Sequence, residues 1–128
     1  MLSLNVNAQH NSYSSYYSNT MLVGQPDGDG HFGYSSNGVQ KFPTYIKLDK
    51  ERLVIANMYD KLIIQLQFLS KKPVSLVGVS SINKHYYGVD QDGSGTTYSV
   101  NLLYVKNILQ TITVSTGLSS NMWMITHN

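Results

Sequence analysis

The chain of 128 residues contains no cysteine, which excludes a disulfide framework, a thiolate zinc site and a cysteine nucleophile. Charged residues are also scarce, at 12% of the sequence against about 25% in ordinary soluble proteins. Glu51 is the single glutamate and Arg52 the single arginine. The surface must therefore rely on uncharged polar side chains, and ten tyrosines dominate the aromatic residues.

The nine cations are spread out, and only Lys71 and Lys72 are adjacent. Nucleic-acid recognition uses clustered basic side chains and the forked arginine head group, so we expect no nucleic-acid partner. Residues 1–9 lack the basic start and the apolar stretch of a secretory signal. No run approaches the roughly 18 apolar residues of a membrane span. We therefore expect a soluble chain with no signal peptide and no membrane span.

Residue types that carry catalysis are sparse. Glu51 stands between Lys50 and Arg52, which is typical of a solvated turn. The four histidines lie in separate segments without metal-ligand spacing, and no G-x-S-x-G nucleophile elbow occurs. These absences favour a protein that is not an enzyme.

Hydrophobic periodicity is weak in the N-terminal part of the chain and regular in the remainder. Residues 8–20 are polar and low in complexity, so residues 1–20 are interpreted as an extended polar N-terminal arm. Residues 21–128 then form a single domain of many short alternating segments separated by glycine and serine turns. This arrangement predicts an all-β fold, an antiparallel β-sandwich or jelly roll.

Two segments allow a helix as the alternative. In residues 49–72, Asp49 is a good N-cap and several apolar residues have helical spacing. The alternation in residues 64–68 and the β-branched content favour a hairpin instead, with its turn at residues 57–61. Residues 101–110 are also compatible with a short helix.

A possible calcium loop begins at Asp90. Oxygen-bearing side chains at Asp90, Asp92 and Ser94, followed by Gly95, match the opening of a calcium loop, in which hard oxygens surround a hard cation. The closing glutamate is absent, because Asn101 stands at the twelfth position. A hairpin tip explains the same residues. We expect no obligatory cofactor, with calcium at these three residues as the one metal hypothesis.

Tyrosines expected in polar loops are the candidate ligand-binding residues. Tyrosine provides a flat contact surface and a hydroxyl at low entropic cost, and sugar rings stack on such groups. A glycan is therefore a candidate partner. Trp123, in an apolar terminal segment, is expected in the core. The candidate tyrosines are Tyr13, Tyr16, Tyr17, Tyr34, Tyr86 and Tyr87.

All formal charges except those of Asp27 and Asp29 lie between Lys41 and Lys106. Uncharged chain ends predict burial against other subunits, since exposed termini normally carry charge. We therefore expect a homo-oligomer or a part of a larger assembly, a structural module such as a phage-type decoration, fibre, baseplate or receptor-binding protein. Its expected location is a virion or an extracellular surface. The alternative is a carbohydrate-binding or adhesin domain that uses the loop tyrosines.

Overall fold

The computed structural model describes residues 13–26, 32–34, 38–59 and 61–127. These ranges contain strands and turns but no α-helix, and so hold no helix that could cross a membrane. The strands are β1 (Ser14–Val23), β2 (Gln25–Pro26), β3 (Phe32–Gly33), β4 (Val39–Leu48), β5 (Arg52–Asn57), β6 (Leu62–Phe68), β7 (Val74–Val77), β8 (Ser81–Asp90), β9 (Thr97–Val105), β10 (Ile108–Ser115) and β11 (Ser120–Met124).

Nine strands form one antiparallel sheet in the order β6-β5-β4-β1-β11-β10-β9-β8-β7. A further pairing between β6 and β8 closes eight of these strands into a barrel. The all-β, antiparallel prediction is confirmed. The sandwich or jelly roll geometry is corrected to a closed barrel, because pairing β6 with β8 removes the sheet edges that two facing sheets would keep.

Closure takes place where Phe68 of β6 lies opposite Gly88 of β8. A Cβ atom at Gly88 would lie 3.0 Å from the Cβ of Leu66, so a side chain there would press on the closing strand. Beyond this point β8 pairs with β7 instead. The short strand β7 is consequently left at the end of the sheet order.

The barrel interior is filled by alternate residues of the long strands, as the period-two segments require. Trp123 of β11 is only 2% exposed, which confirms its predicted place in the core. The other buried hydrophobic residues are Ile46, Leu48, Leu53, Ile55, Leu66, Phe68, Val100, Leu102, Leu109, Ile112, Val114 and Ile125.

Residues 49–72 form the predicted hairpin, with Leu53 paired to Leu66 across β5 and β6. Asp49 does cap backbone N–H groups, but in a turn: its Oδ1 accepts from the amides of Glu51 and Arg52 at 2.7 and 2.8 Å. The helical alternative for residues 101–110 is also excluded, since they belong to β9, a turn and β10.

The N-terminal arm is corrected for residues 14–20, which belong to β1. This strand lies between β4 and β11, and its Ser18 is fully buried. The Ser18 hydroxyl donates to the Thr20 carbonyl at 3.0 Å beside a bulge, so the polar side chain is satisfied inside the barrel. The sequence did not identify β1 as a strand because serine occupies an inward position, which interrupts the apolar alternation by which strands are recognised. Residues 1–12 lie outside the described residues.

The uncharged chain ends meet each other in the barrel wall. Met21 of β1 pairs with Trp123 of β11, and β10, which also has no charged residue, pairs with the other edge of β11. The main-chain edges of the described parts of both ends are therefore paired within the protein's own sheet, while outward side chains such as Met124 stay exposed.

Candidate functional site

A cavity of about 710 Å³ lies at the end of the barrel where β4 turns into β5. Its walls come from the start of β1, the β4–β5 turn, and the portions of β8 and β9 that extend past β6. The core residues Leu48 and Leu102 line it as well. The cavity thus joins the apolar interior to a polar rim.

Three tyrosines from different strands line this cavity: Tyr16 of β1, Tyr86 of β8 and Tyr104 of β9. Tyr86 stacks on Phe68 with a centroid distance of 4.1 Å and an interplanar angle of 15°, which fixes the plane of its ring. All three side chains pack against the hydrophobic core. Their hydroxyls are therefore held by rigid elements rather than by loops.

Two of the tyrosine hydroxyls at the cavity, those of Tyr86 and Tyr104, stay protonated well above neutral pH. Burial, with smaller contributions from Tyr16 and Tyr86, raises the pKa of Tyr104 to about 12. Burial also raises the pKa of Tyr86. Each of these two hydroxyls is thus available both to donate and to accept a hydrogen bond.

The rim of the cavity carries more positive than negative side chains. Arg52 and Asp49 form a loose ion pair at 3.7 Å, and Lys71 contacts Glu51 at 3.0 Å. The remaining lining cations are Lys50 and Lys84, and neither forms an ion pair with another described residue.

Lys84 contacts one of the three strand tyrosines of the cavity. Its ammonium lies 5.0 Å from the centre of the Tyr104 ring, and its side chain is half-buried. A cation over an aromatic face gains about 0.5–1 kcal/mol when exposed and more when desolvated. This contact positions the ammonium at the cavity.

The structure brings three of the six candidate tyrosines to this cavity. Tyr13 and Tyr16 line it from β1 and the residue before it, and Tyr86 lines it from β8. Tyr13 is half exposed, with the Lys47 ammonium 5.0 Å from its ring centre.

The other three candidates lie elsewhere. Tyr17 packs against Tyr45 on the outer surface, with ring centroids 5.3 Å apart. Tyr87 is 55% exposed and meets His85 edge to face at 4.6 Å. The Tyr34 hydroxyl hydrogen-bonds the hydroxyl of buried Ser120, which fastens the segment after β3 to the barrel.

Sequence reasoning missed Tyr104 and Lys84. The signal for Tyr104 was present, because the alternation of Tyr98, Val100 and Leu102 extends to it by one more step. Lys84 stands two residues before Tyr86 and therefore on the same face of β8. Charge at an inward strand position is the feature that would have identified this site.

The proposed calcium loop forms the hairpin tip between β8 and β9. The Asp92 amide donates to Asp90 Oδ1 at 3.0 Å, and the Ser94 amide donates to Asp92 Oδ1 at 2.8 Å. Gly93 and Gly95 have positive φ angles of 92° and 72°, which favour glycine. One oxygen of each carboxylate is therefore used by the turn. The calcium hypothesis for Asp90, Asp92 and Ser94 stays a prediction.

A group of three acidic, cysteine or histidine side chains suited to a metal ion is not found in the described ranges. The Ser94 hydroxyl and amide lower the pKa of Asp92 by hydrogen bonding. The ionised carboxylate is thus stabilised by the turn itself.

A second surface feature is the edge formed by β7. Every residue of this strand is exposed, with Val74 at 67%, Leu76 at 73% and Val77 at 75%. Among the described strands, β7 pairs only with β8. Its other edge therefore presents main-chain groups flanked by apolar side chains.

Comparison with protein-family models, curated proteins and solved structures found no match to this chain.

Proposed function

We propose that the protein is a non-enzymatic, homo-oligomeric structural module whose copies pair along β7. The observation that carries this proposal is the exposure of Val74, Leu76 and Val77 on a strand at the end of the sheet. Apolar side chains on an open strand edge favour association with another strand. A second copy of the same chain provides an edge of matching length and character.

The chemistry of this segment supports strand pairing. Residues 74–79 contain no charge and no proline, the two features that usually protect a free edge from association. Lys71, Lys72 and Pro73 come directly before β7. Antiparallel pairing about a two-fold axis puts the lysines of the two copies at opposite ends of the joint sheet, whereas parallel pairing would put like charges side by side. We therefore propose the antiparallel arrangement.

The proposed setting is a virion or an extracellular surface. Decoration, fibre, baseplate and receptor-binding proteins of phages work as repeated copies of small β-rich modules, and this step of the proposal is an analogy at the level of protein class. The low charge content and the open apolar edge support a module that acts in contact with its copies.

The test is the mass of the protein in solution, measured by light scattering over a range of concentrations. We expect the wild-type chain to form a species of at least twice its 14.3 kDa. The double variant Val74→Lys, Leu76→Lys should be monomeric, because two ammonium groups on the outer face of β7 would oppose the same groups of the second copy.

The matched control is Leu118→Lys in the β10–β11 turn. Leu118 is 92% exposed, so the variant adds positive charge at an apolar surface position away from β7 and should keep the wild-type mass. A wild-type monomer at high concentration would refute the proposal. An oligomer that survives in the β7 double variant would also refute it.

A further inference from the structure

Beyond assembly, we propose that the barrel-end cavity binds the acidic unit of a carbohydrate, a sugar ring that bears a carboxylate. The ring would lie against Tyr86, its hydroxyls would meet those of Tyr16 and Tyr104, and its carboxylate would lie at Lys84. The site differs from a patch of loop tyrosines, since its residues project from barrel strands.

The requirement for an anion follows from the charges at the cavity. Asp49 and Glu51 are engaged with Arg52 and Lys71, so an incoming ligand meets an excess of positive charge from Lys50 and Lys84. Lys84 is half-buried, and a partly desolvated ammonium gains most from an anionic partner. A neutral ligand would leave the Lys84 ammonium without an anionic partner in the cavity.

The requirement for a sugar ring follows from the tyrosines. One face of the Tyr86 ring is covered by Phe68, and Tyr86 also lines the cavity, so we place the sugar against the other face of the ring. Sugar rings present apolar C–H faces to such aromatic surfaces. The tyrosine hydroxyls around the cavity can donate to and accept from sugar hydroxyls, whereas an aromatic acid would offer them few partners.

The cavity also has the size of a small-ligand site. Its volume of about 710 Å³ lies within the range of roughly 300–1,000 Å³ that is usual for such sites. The space suits one or two sugar units. Its position at the open end of the barrel leaves room for the rest of a glycan outside.

The experiment compares glucuronate with glucose, its neutral counterpart, by calorimetry or by chemical-shift titration. We expect saturable binding of glucuronate that weakens with added salt, and much weaker binding of glucose. Lys84→Met should weaken glucuronate binding about tenfold and leave the response to glucose unchanged. Tyr104→Phe should weaken both sugars, because it removes a hydroxyl that meets the sugar and leaves the stacking ring of Tyr86 in place.

The matched control is Lys61→Met, which removes the same charge at the β5–β6 turn, at the other end of β5 from the cavity. It should bind glucuronate like the wild type, and thermal melting checks that each variant is folded. A disaccharide ending in glucuronate should bind at least as well as the free sugar if the natural source is a glycan, and more weakly if it is the free acid.

Four results would overturn the inference. The first is no saturable binding of glucuronate by the folded wild type. The second is equal binding of glucuronate by Lys84→Met. The third is equal affinity for glucose, which would remove the role of the carboxylate. The fourth is a clear preference for benzoate over glucuronate, which would assign the cavity to aromatic acids.

Discussion

At the level of single residues, Tyr104 belongs both to the packing around the core and to the lining of the cavity. Its ring packs against the hydrophobic cluster, and its hydroxyl lies in a polar cavity beside Tyr16 and Tyr86. Burial opposes ionisation because the phenolate is charged and the phenol is neutral. The protonation behaviour of this one side chain therefore reports on the end of the barrel that holds the cavity.

The first prediction is that Tyr104 ionises near pH 12 in the folded protein. The pKa of Tyr104 is raised from 10.0 to about 12, so the unfolded chain loses this proton first as the pH rises. Stability should fall as pH rises from about 10 towards about 12, since the native state then binds the proton more tightly than the unfolded state.

An ultraviolet titration of phenolate absorbance checks this prediction. The wild-type curve should contain a component near pH 12 that is missing in Tyr104→Phe. The free energy of unfolding, measured by urea denaturation, should also fall less for the variant than for the wild type when the pH is raised from about 9 to about 11. Identical titration curves for the two proteins would contradict the prediction.

The second prediction concerns the hairpin tip at Asp90, Asp92 and Ser94. Because the turn already uses one oxygen of each carboxylate, we expect millimolar calcium to leave the melting temperature unchanged. A bound ion at a hundredfold excess over its Kd would stabilise by about 2.7 kcal/mol. A rise of several degrees that disappears in Asp92→Ala would establish a calcium site instead.

At the level of strands, the structure depends on how β6 and β7 share one partner. Both pair with β8, β6 through residues 66–68 and β7 through residues 74–77. The pairing of β6 with β8 closes the barrel, and the pairing of β7 with β8 adds a ninth strand outside the closed barrel. The same strand β8 therefore separates the closed core from the open edge that we propose for assembly.

The third prediction is that Gly88→Val destabilises the protein by about 1–3 kcal/mol through overpacking. A Cβ at Gly88 would meet the Cβ of Leu66 at 3.0 Å and a ring carbon of Phe68 at 3.4 Å. The new side chain would push β6 away from β8. Urea denaturation followed by tryptophan fluorescence measures the change, since Trp123 is in the core.

Gly33→Val in β3 is the control for the cost of replacing a strand glycine. A Cβ at Gly33 would meet nothing within 4 Å, so this variant should be close to wild type in stability. Equal stability of the Gly88 and Gly33 variants would show that closure tolerates a side chain at position 88.

At the level of the whole molecule, closure makes every wall strand necessary. Removing one strand from a closed barrel exposes two edges and opens the core to water. This requirement extends to β1, although its sequence is largely polar, because it connects β4 to β11.

The fourth prediction is that deleting residues 1–20 abolishes cooperative folding. The deletion removes Tyr16 and buried Ser18, leaves β4 without its partner from Thr44 to Leu48, and removes the pairing of β11 at Met124. Thermal melting should show no transition. Deletion of residues 1–12 is the comparison, since it leaves β1 complete and should keep a cooperative melt. A normal melt for the longer deletion would restore the interpretation of residues 1–20 as an arm.

Local sequence determined the features that depend on neighbouring residues. Period-two alternation identified β9, β10 and the hairpin of β5 and β6, since one buried face imposes that period. Glycine and aspartate identified the tip at residues 90–95, because turns need positive φ and side-chain acceptors. Trp123 was assigned to the core from its apolar surroundings.

Tertiary structure alone decided which distant strands meet. The pairing of β6 with β8, the burial of a polar β1 and the meeting of both chain ends in one wall depend on contacts between residues far apart in the chain. The cavity has the same origin, since Tyr16, Tyr86 and Tyr104 come from three strands. The sequence of one strand shows only which of its side chains alternate between the two faces of the sheet. Barrel closure determines which strands become neighbours and therefore which side chains meet.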